Sequence, residues 1–194
     1  MRSSEETITW DVQKAAAEEL LAQLAAVSEQ ELAKFDTARG VYVLGYAGTE
    51  LPGSVWGSDD ARIIYVGHAG RDSVRHFADD TAISTVRRSL AALLATSLEL
   101  TAIPGVDSDD DRFNNYRLII EDERKLSAWM YEHLRIAFYE VAPDLLEPMY
   151  HALLNYCAPL LNLKNNPGNQ YGGQIKKYRK KLAEDAVLNS GRQE

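Results

Sequence analysis

The sequence predicts an α+β fold (α/β in the broad sense): a small, mainly antiparallel three-stranded sheet flanked by helices, with an extra N-terminal helical leader and a C-terminal helix. Three observations predict it. Gly40–Tyr46 and Ala61–Gly67 are short runs rich in β-branched and aromatic residues around one loop, as a hairpin requires. Arg135–Val141 is a third such run. The stretches around them carry apolar residues at helical spacing.

The elements follow in order. Trp10-Asp11 reads as a helix start with Asp11 as cap, and Val12, Ala16, Leu20, Leu24 and Val27 recur near helical spacing behind it. Ser28-Glu29-Gln30-Glu31 reads as a capping box that opens a second short helix to Phe35. The loop Ala47–Asp60 joins the first two strands. Ser84-Thr85 opens a helix whose stripe is Val86, Leu90, Leu93, Leu94 and Leu98, with Arg87 and Arg88 off that stripe. Ile103 to Asn115 reads as a polar loop. A helix from about Glu121 to Leu134 carries Leu126, Trp129, Met130 and Leu134 on one face. After the third strand a helix runs from Leu145 or Pro148 to Cys157. Asn162–Asn169 is loop, and a basic helix covers Ile175 to about Ala186. The expected organisation is a leader over residues 1–37, a central domain over 38–170 and a basic tail over 171–194.

Composition narrows the class. A chain of 194 residues, 45% hydrophobic and 26% charged, is ordinary for a globular domain. The single cysteine, Cys157, forms no internal disulfide and lies in an apolar helical stretch, so it reads as packing. There is no zinc-type Cys/His cluster, no P-loop and no glycine-rich dinucleotide fingerprint. No apolar run reaches the roughly 20 residues that span a bilayer, so no membrane association is expected and the expected compartment is the cytoplasm. The net charge of −8 is uneven. Acid concentrates in the leader and in Asp107–Asp111. Base concentrates at Arg87-Arg88 and in Lys176-Lys177-Tyr178-Arg179-Lys180-Lys181. A phosphodiester backbone is met by such cations, so Arg87, Arg88, Lys176, Lys177, Arg179 and Lys180 are the backbone-contact candidates. A solvated helix face explains each of them equally well.

Gly40-Val41-Tyr42 followed by Tyr65-Val66-Gly67 on the next strand resembles the paired motifs of the GIY-YIG nuclease family. The closing stretch Leu153-Leu154-Asn155-Tyr156-Cys157-Ala158-Pro159-Leu160-Leu161-Asn162 resembles that family's ending of helix, proline, apolar pair and asparagine. Ser84–Leu90 with Leu126–Met130 and His133-Leu134 looks like a bacterial, restriction-type subgroup. The resemblance spans roughly Arg39 to Asn169. It implies hydrolysis of a nucleic-acid phosphodiester, expected to be DNA, with one divalent ion, Mg²⁺ or Mn²⁺.

Such hydrolysis needs a deprotonated, aligned water, offset charge on the phosphoryl oxygens and help for the leaving oxygen. By resemblance, Tyr42 and Tyr65 are candidates to orient or deprotonate water, and Asn162 is the closing residue of the site. The family's arginine falls on Arg75, with Arg71 one turn earlier as the substitute; its planar fork matches two phosphate oxygens. His68 and His76 are candidates for proton transfer, although a capping or surface histidine is commoner.

Two departures matter. The family's metal-binding glutamate lies twelve residues before the asparagine, and here that position is Tyr150. A phenol is a poor ligand for magnesium. The nearest carboxylate is Glu147, three residues earlier, a displacement of about 4.5 Å along a helix that already includes both. If Pro148 opens the helix instead, Glu147 is only a helix-start anion. The 22 residues between Tyr42 and Tyr65 also exceed the compact family pattern. Two functions remain in view: a metal-dependent endonuclease, or a catalytically impaired fold that binds nucleic acid or a protein. The acidic leader offers a surface for a protein partner or a second copy.

Overall fold

The computed structural model describes residues 8–36, 39–48, 62–105 and 115–190. In chain order the elements are α1 (Trp10–Ala22), β1 (Ala25–Ala26), α2 (Glu29–Ala33), β2 (Gly40–Tyr46), β3 (Arg62–His68), α3 (Thr85–Leu94), β4 (Ala102–Pro104), β5 (Tyr116–Leu118), α4 (Ile120–His133), β6 (Leu134–Glu140), α5 (Leu146–Cys157) and α6 (Gly172–Ser190). Short 3-10 turns cover Lys34–Asp36, Arg71–Phe77 and Pro143–Leu145. No described helix is long and apolar enough to cross a membrane. The Asp107–Asp111 cluster and the Thr49–Asp60 insertion lie outside the described residues.

The chain forms two compact units: Met1–Ala47 with Asp60–Val74 and Tyr131–Gln170, and Gly48–Asp59 with Arg75–Met130 and Tyr171–Glu194. The first unit holds an antiparallel sheet in the order β1-β6-β2-β3. It has four strands rather than three. The extra one, β1, pairs only Ala25 and Ala26 with Ile136 and Arg135, and two residues carry no periodicity to read.

Register explains which side chains share a face. Val43 lies opposite Val66 and Ala137, and Tyr42 lies opposite Gly67 and Phe138. Side chains alternate along a strand. The face bearing Val41, Val43, Val66 and Ala137 therefore packs on Ala16, Ala17 and Leu20 of α1 and on Met149, Leu153 and Leu154 of α5. Burial of each large apolar side chain contributes roughly 1.5–3 kcal/mol. Tyr42 falls on the opposite face, where the edge of Phe35 meets its ring at 5.4 Å.

Helix starts correct the expectations in detail. Thr9 holds the cap position of α1 without a side-chain bond, so Asp11 lies inside the first turn, where its charge still complements the helix dipole. Ser28 does cap α2, its Oγ accepting from the Glu31 N–H at 3.2 Å. Pro148 is the third residue of α5 rather than the first. Its missing N–H is one of the four that a helix start leaves without an intrahelical partner. Glu147 is consequently a helical residue, one turn before Tyr150.

In the second unit α6 packs on β4, β5 and α3. The antiparallel pair β4-β5 stands where the sequence reads as loop. Arg87 is the main correction. Expected on the solvent side, it is 0% exposed. Its Nη2 donates to Glu123 Oε2 at 2.7 Å and to the Glu123 carbonyl at 3.0 Å, and Nη1 donates to Ser127 Oγ at 2.8 Å. Glu123 Oε1 also accepts from the N–H groups of Thr81 at 2.8 Å and Leu118 at 3.1 Å. A buried carboxylate supplied from α4 makes the buried guanidinium tolerable.

Candidate active site

The site is built around β3. It is the outermost strand of the sheet, so both of its faces end at one rim. Tyr65 is half-buried and its ring lies 5.8 Å from that of Tyr42. Tyr42 is only 1% exposed. The two motif tyrosines are thus brought together on one face, with Tyr65 in front and Tyr42 behind.

The motif glycine has a packing reason. A Cβ at Gly67 would stand 2.5 Å from Cε1 of Tyr42 and 2.9 Å from its hydroxyl oxygen. The Tyr42 ring is laid across the space a side chain would need. Gly40 is likewise closed to substitution, because a Cβ there would meet the Tyr139 carbonyl oxygen at 2.1 Å.

Asn162 fastens the rim. Its Oδ1 accepts from the Val66 N–H at 2.9 Å and its Nδ2 donates to the Val66 carbonyl at 2.8 Å. The Leu161 N–H adds a bond to the Ile64 carbonyl at 2.8 Å. The Pro159–Asn162 ending therefore runs beside the outer edge of β3 and pairs with it. The following loop holds that ending in place: Asn166 Nδ2 donates to the Pro159 carbonyl at 2.8 Å, and Asn169 Nδ2 donates to the carbonyls of Leu160 at 2.8 Å and Asn162 at 3.1 Å. These asparagines read as a plain loop in the sequence, but they set the geometry of Asn162.

At the end of β3, α5 contributes its first turns. His68 Nε2 stands 3.5 Å from Glu147 Oε1, and His151 Nε2 stands 3.7 Å from Glu147 Oε2. Tyr150 packs between the imidazoles, its ring centroid 4.4 Å from that of His68 and 5.3 Å from that of His151. Burial raises the Tyr150 phenol above its usual range, a hydrogen bond with Asn162 lowers it in part, and the neighbouring Glu147 charge raises it again. A phenol that burial keeps neutral is not a carboxylate substitute. His151 escaped the sequence reading, although the Glu147-x-x-x-His151 spacing that puts both on one helix face was available.

By alternation Tyr65 and His68 leave β3 toward opposite faces, so the tyrosine pair and the Glu147 cluster stand on opposite sides of the strand. Arg75 is exposed on the 3-10 turn of the second unit, and the Arg71 side chain lies outside the described residues. His76 is buried, its Nδ1 paired with Ser84 Oγ at 2.7 Å, and burial with the charges of Arg75 and Arg87 lowers its pKa to about 4. It is a structural histidine. Arg88 Nη1 donates to Asn115 Oδ1 at 2.9 Å, and with Arg87 buried this pair offers little to a polyanion. Lys176, Lys177, Lys180 and Lys181 are exposed along α6, and Arg179 is half-buried.

Among the described residues no group of three His, Cys, Asp or Glu is arranged to hold an ion. Glu147 is a single carboxylate whose side chain is 65% exposed. Magnesium commonly binds through one or two protein carboxylates plus substrate phosphate and water, and Glu147 meets that minimum.

Comparison with known families gives one match: the model of the GIY-YIG catalytic domain covers residues 53–182, about two thirds of the chain. Tyr65, Arg75, Glu147, Tyr150 and Asn162 fall inside that span, whereas Gly40-Val41-Tyr42 precede it. Neither a curated protein nor a solved structure matches the chain.

Proposed function

The chain belongs to the GIY-YIG catalytic domain family, and from that premise we propose that it is a divalent-metal-dependent endonuclease hydrolysing phosphodiester bonds in DNA. The family implies nuclease activity, and with it nucleic-acid binding. The observation that carries the finer reading is the rim of β3. There Tyr65, the Asn162 clamp on Val66 and the pairing of His68 with Glu147 fall within four consecutive strand positions, 65–68.

In this reading Tyr65 faces the substrate and orients the attacking water, while Tyr42 fixes the Tyr65 ring from behind. A free phenol titrates near 10 and needs a neighbouring cation to work near neutrality. By resemblance to the family, Arg75, with Arg71 as its substitute, is the candidate for the guanidinium fork that meets phosphoryl oxygens. Glu147 is the residue that would hold Mg²⁺ or Mn²⁺, whose Lewis acidity would offset charge on the phosphate. His68 and His151 hold the Glu147 carboxylate at the rim. The exposed lysines of α6 support backbone contact.

The test is incubation of the purified chain with plasmid and with single-stranded DNA, with and without Mg²⁺ or Mn²⁺, beside Tyr65→Phe and Glu147→Ala. Metal-dependent cleavage that both substitutions reduce by at least about 100-fold is expected. Absence of cleavage under every condition overturns the proposal. Cleavage that survives Glu147→Ala removes Glu147 as the ligand.

A further inference from the structure

We infer that the cavity between the C-terminal end of α3 and the middle of α6 receives an unstacked nucleobase of a nucleic-acid strand whose backbone follows the lysines of α6. The inference rests on the nucleic-acid binding that the nuclease reading entails, and it assigns a subsite within the second unit, built of residues other than those of the β3 rim.

The cavity measures about 460 Å³, inside the range of roughly 300–1,000 Å³ typical of small-ligand pockets. Its walls combine the three kinds of group a base requires. Leu93 and Leu182 supply apolar surface, and Tyr178 supplies an aromatic ring. That ring is held from the preceding turn, where Gln174 Nε2 donates to its hydroxyl at 2.9 Å. The polar groups are the hydroxyls of Thr96 and Ser97 and the carboxylate of Asp185. Ser97 Oγ donates its own hydrogen to the Leu94 carbonyl at 3.2 Å, which leaves that hydroxyl as an acceptor. A carboxylate and hydroxyl acceptors match the exocyclic amines of adenine, cytosine and guanine.

Charge complementarity selects a strand rather than an uncharged ligand. Lys181 stands in the wall itself. Lys177 is one turn earlier on the same face, and Lys176 and Lys180 flank them, all four exposed. The opposite side of the helix buries Ile175, Leu182, Ala183 and Ala186, which aims the cationic row outward. Stacking on an aromatic ring beside a cationic track is how single strands are gripped without sequence preference, at site sizes of roughly 4–16 nucleotides.

Fluorescence anisotropy in EDTA tests this without cleavage. The probes are a single-stranded DNA of about 12 nucleotides and a strand of equal length built of abasic sites, which keeps the phosphates and removes the bases. The native chain is expected to bind the normal strand about tenfold more tightly. Tyr178→Phe keeps that preference and Tyr178→Ala abolishes it. Equal affinity for both strands on the native chain, or no binding of either at low salt, overturns the inference without recourse to any variant. A mononucleotide that binds as tightly as the strand overturns the polymer assignment. Cleavage with equal affinity sinks this subsite and leaves the nuclease reading standing. Base-dependent binding with no cleavage under any metal condition does the reverse.

Discussion

The ring of Tyr42 lies across Gly67, so that a Cβ on Gly67 would stand 2.5 Å from Tyr42 Cε1. The two residues are direct partners across β2 and β3. The glycine of the second motif is therefore the space that the tyrosine of the first motif occupies. Tyr42 is 1% exposed and its ring is braced by Phe35 and Tyr65, so it has nowhere to move.

Gly67→Ala is expected to destabilise the fold by about 1–3 kcal/mol through overpacking and to lower cleavage more than that loss explains, because Tyr65 shifts with Tyr42. Adding Tyr42→Phe leaves the clash with Cε1 intact and gives no relief. Adding Tyr42→Ala removes the clash but opens a cavity that costs about 3–5 kcal/mol, so it restores neither stability nor activity. Urea unfolding of the three variants beside a cleavage assay checks this, and a Gly67→Ala chain of native stability overturns it.

How much of this was legible in the sequence depends on how local the cause is. The individual strand runs β2 and β3, the Ser28 and Ser84 caps and the stripe of α3 are set by residues close together in the chain, and pattern reading finds them. The β4-β5 pair is three residues a side with Pro104 inside it, too short for alternation to register. Arg87 failed for a different reason. Its burial depends on Glu123, 36 residues away, and no local rule announces a remote counter-charge. At the site, resemblance to the family's motifs singled out Tyr42, Tyr65 and Asn162 as candidates. The division of labour was not readable: Asn162 spends both ends of its amide on Val66, and His151 joins Glu147 only through helix geometry.

That commitment of Asn162 predicts a structural phenotype. Asn162→Leu removes both bonds to Val66 and leaves a buried N–H and carbonyl without those partners, at a cost of about 2–4 kcal/mol. Asn162→Asp keeps the acceptor for the Val66 N–H but turns a carboxylate oxygen toward the Val66 carbonyl, so it recovers less than half. Amide exchange at Val66, measured by NMR, accelerates in both variants while exchange at Leu44 on the adjacent strand changes less. Unchanged protection at Val66 would remove the clamp from the account.

The Arg87–Glu123 pair predicts strong non-additivity. Arg87→Met strands the Glu123 carboxylate in a site where it is 4% exposed, and removal of one partner of a buried pair costs about 3–5 kcal/mol. The double variant Arg87→Met with Glu123→Met removes the stranded charge and recovers part of that loss. The Thr81 and Leu118 N–H groups that Glu123 accepts keep the recovery incomplete. Denaturant unfolding of the full double-mutant cycle measures it, and simple additivity of the two single losses would show that the pair is not coupled.

His76 predicts the pH dependence of stability. Ser84 Oγ accepts from the Arg87 N–H at 3.1 Å and pairs with His76 Nδ1 at 2.7 Å, a contact that either tautomer of the neutral imidazole satisfies. Burial first, then the charges of Arg75 and Arg87, lower its pKa from 6.5 to about 4. In the unfolded chain the same imidazole takes up a proton near 6.5, where the native chain still refuses it. Stability from this group is therefore complete above that pH, falls as the pH drops through the window and is gone below about 4. The full effect is on the order of 3 kcal/mol. His76→Asn puts in place of the imidazole an amide that pairs with a hydroxyl as donor or acceptor but does not titrate. Unfolding free energies of the native chain and this variant, compared between about pH 7 and pH 4.5, converge as the pH falls. A constant difference across the window would mean that His76 is protonated in the folded chain and that Ser84, rather than burial, governs the imidazole.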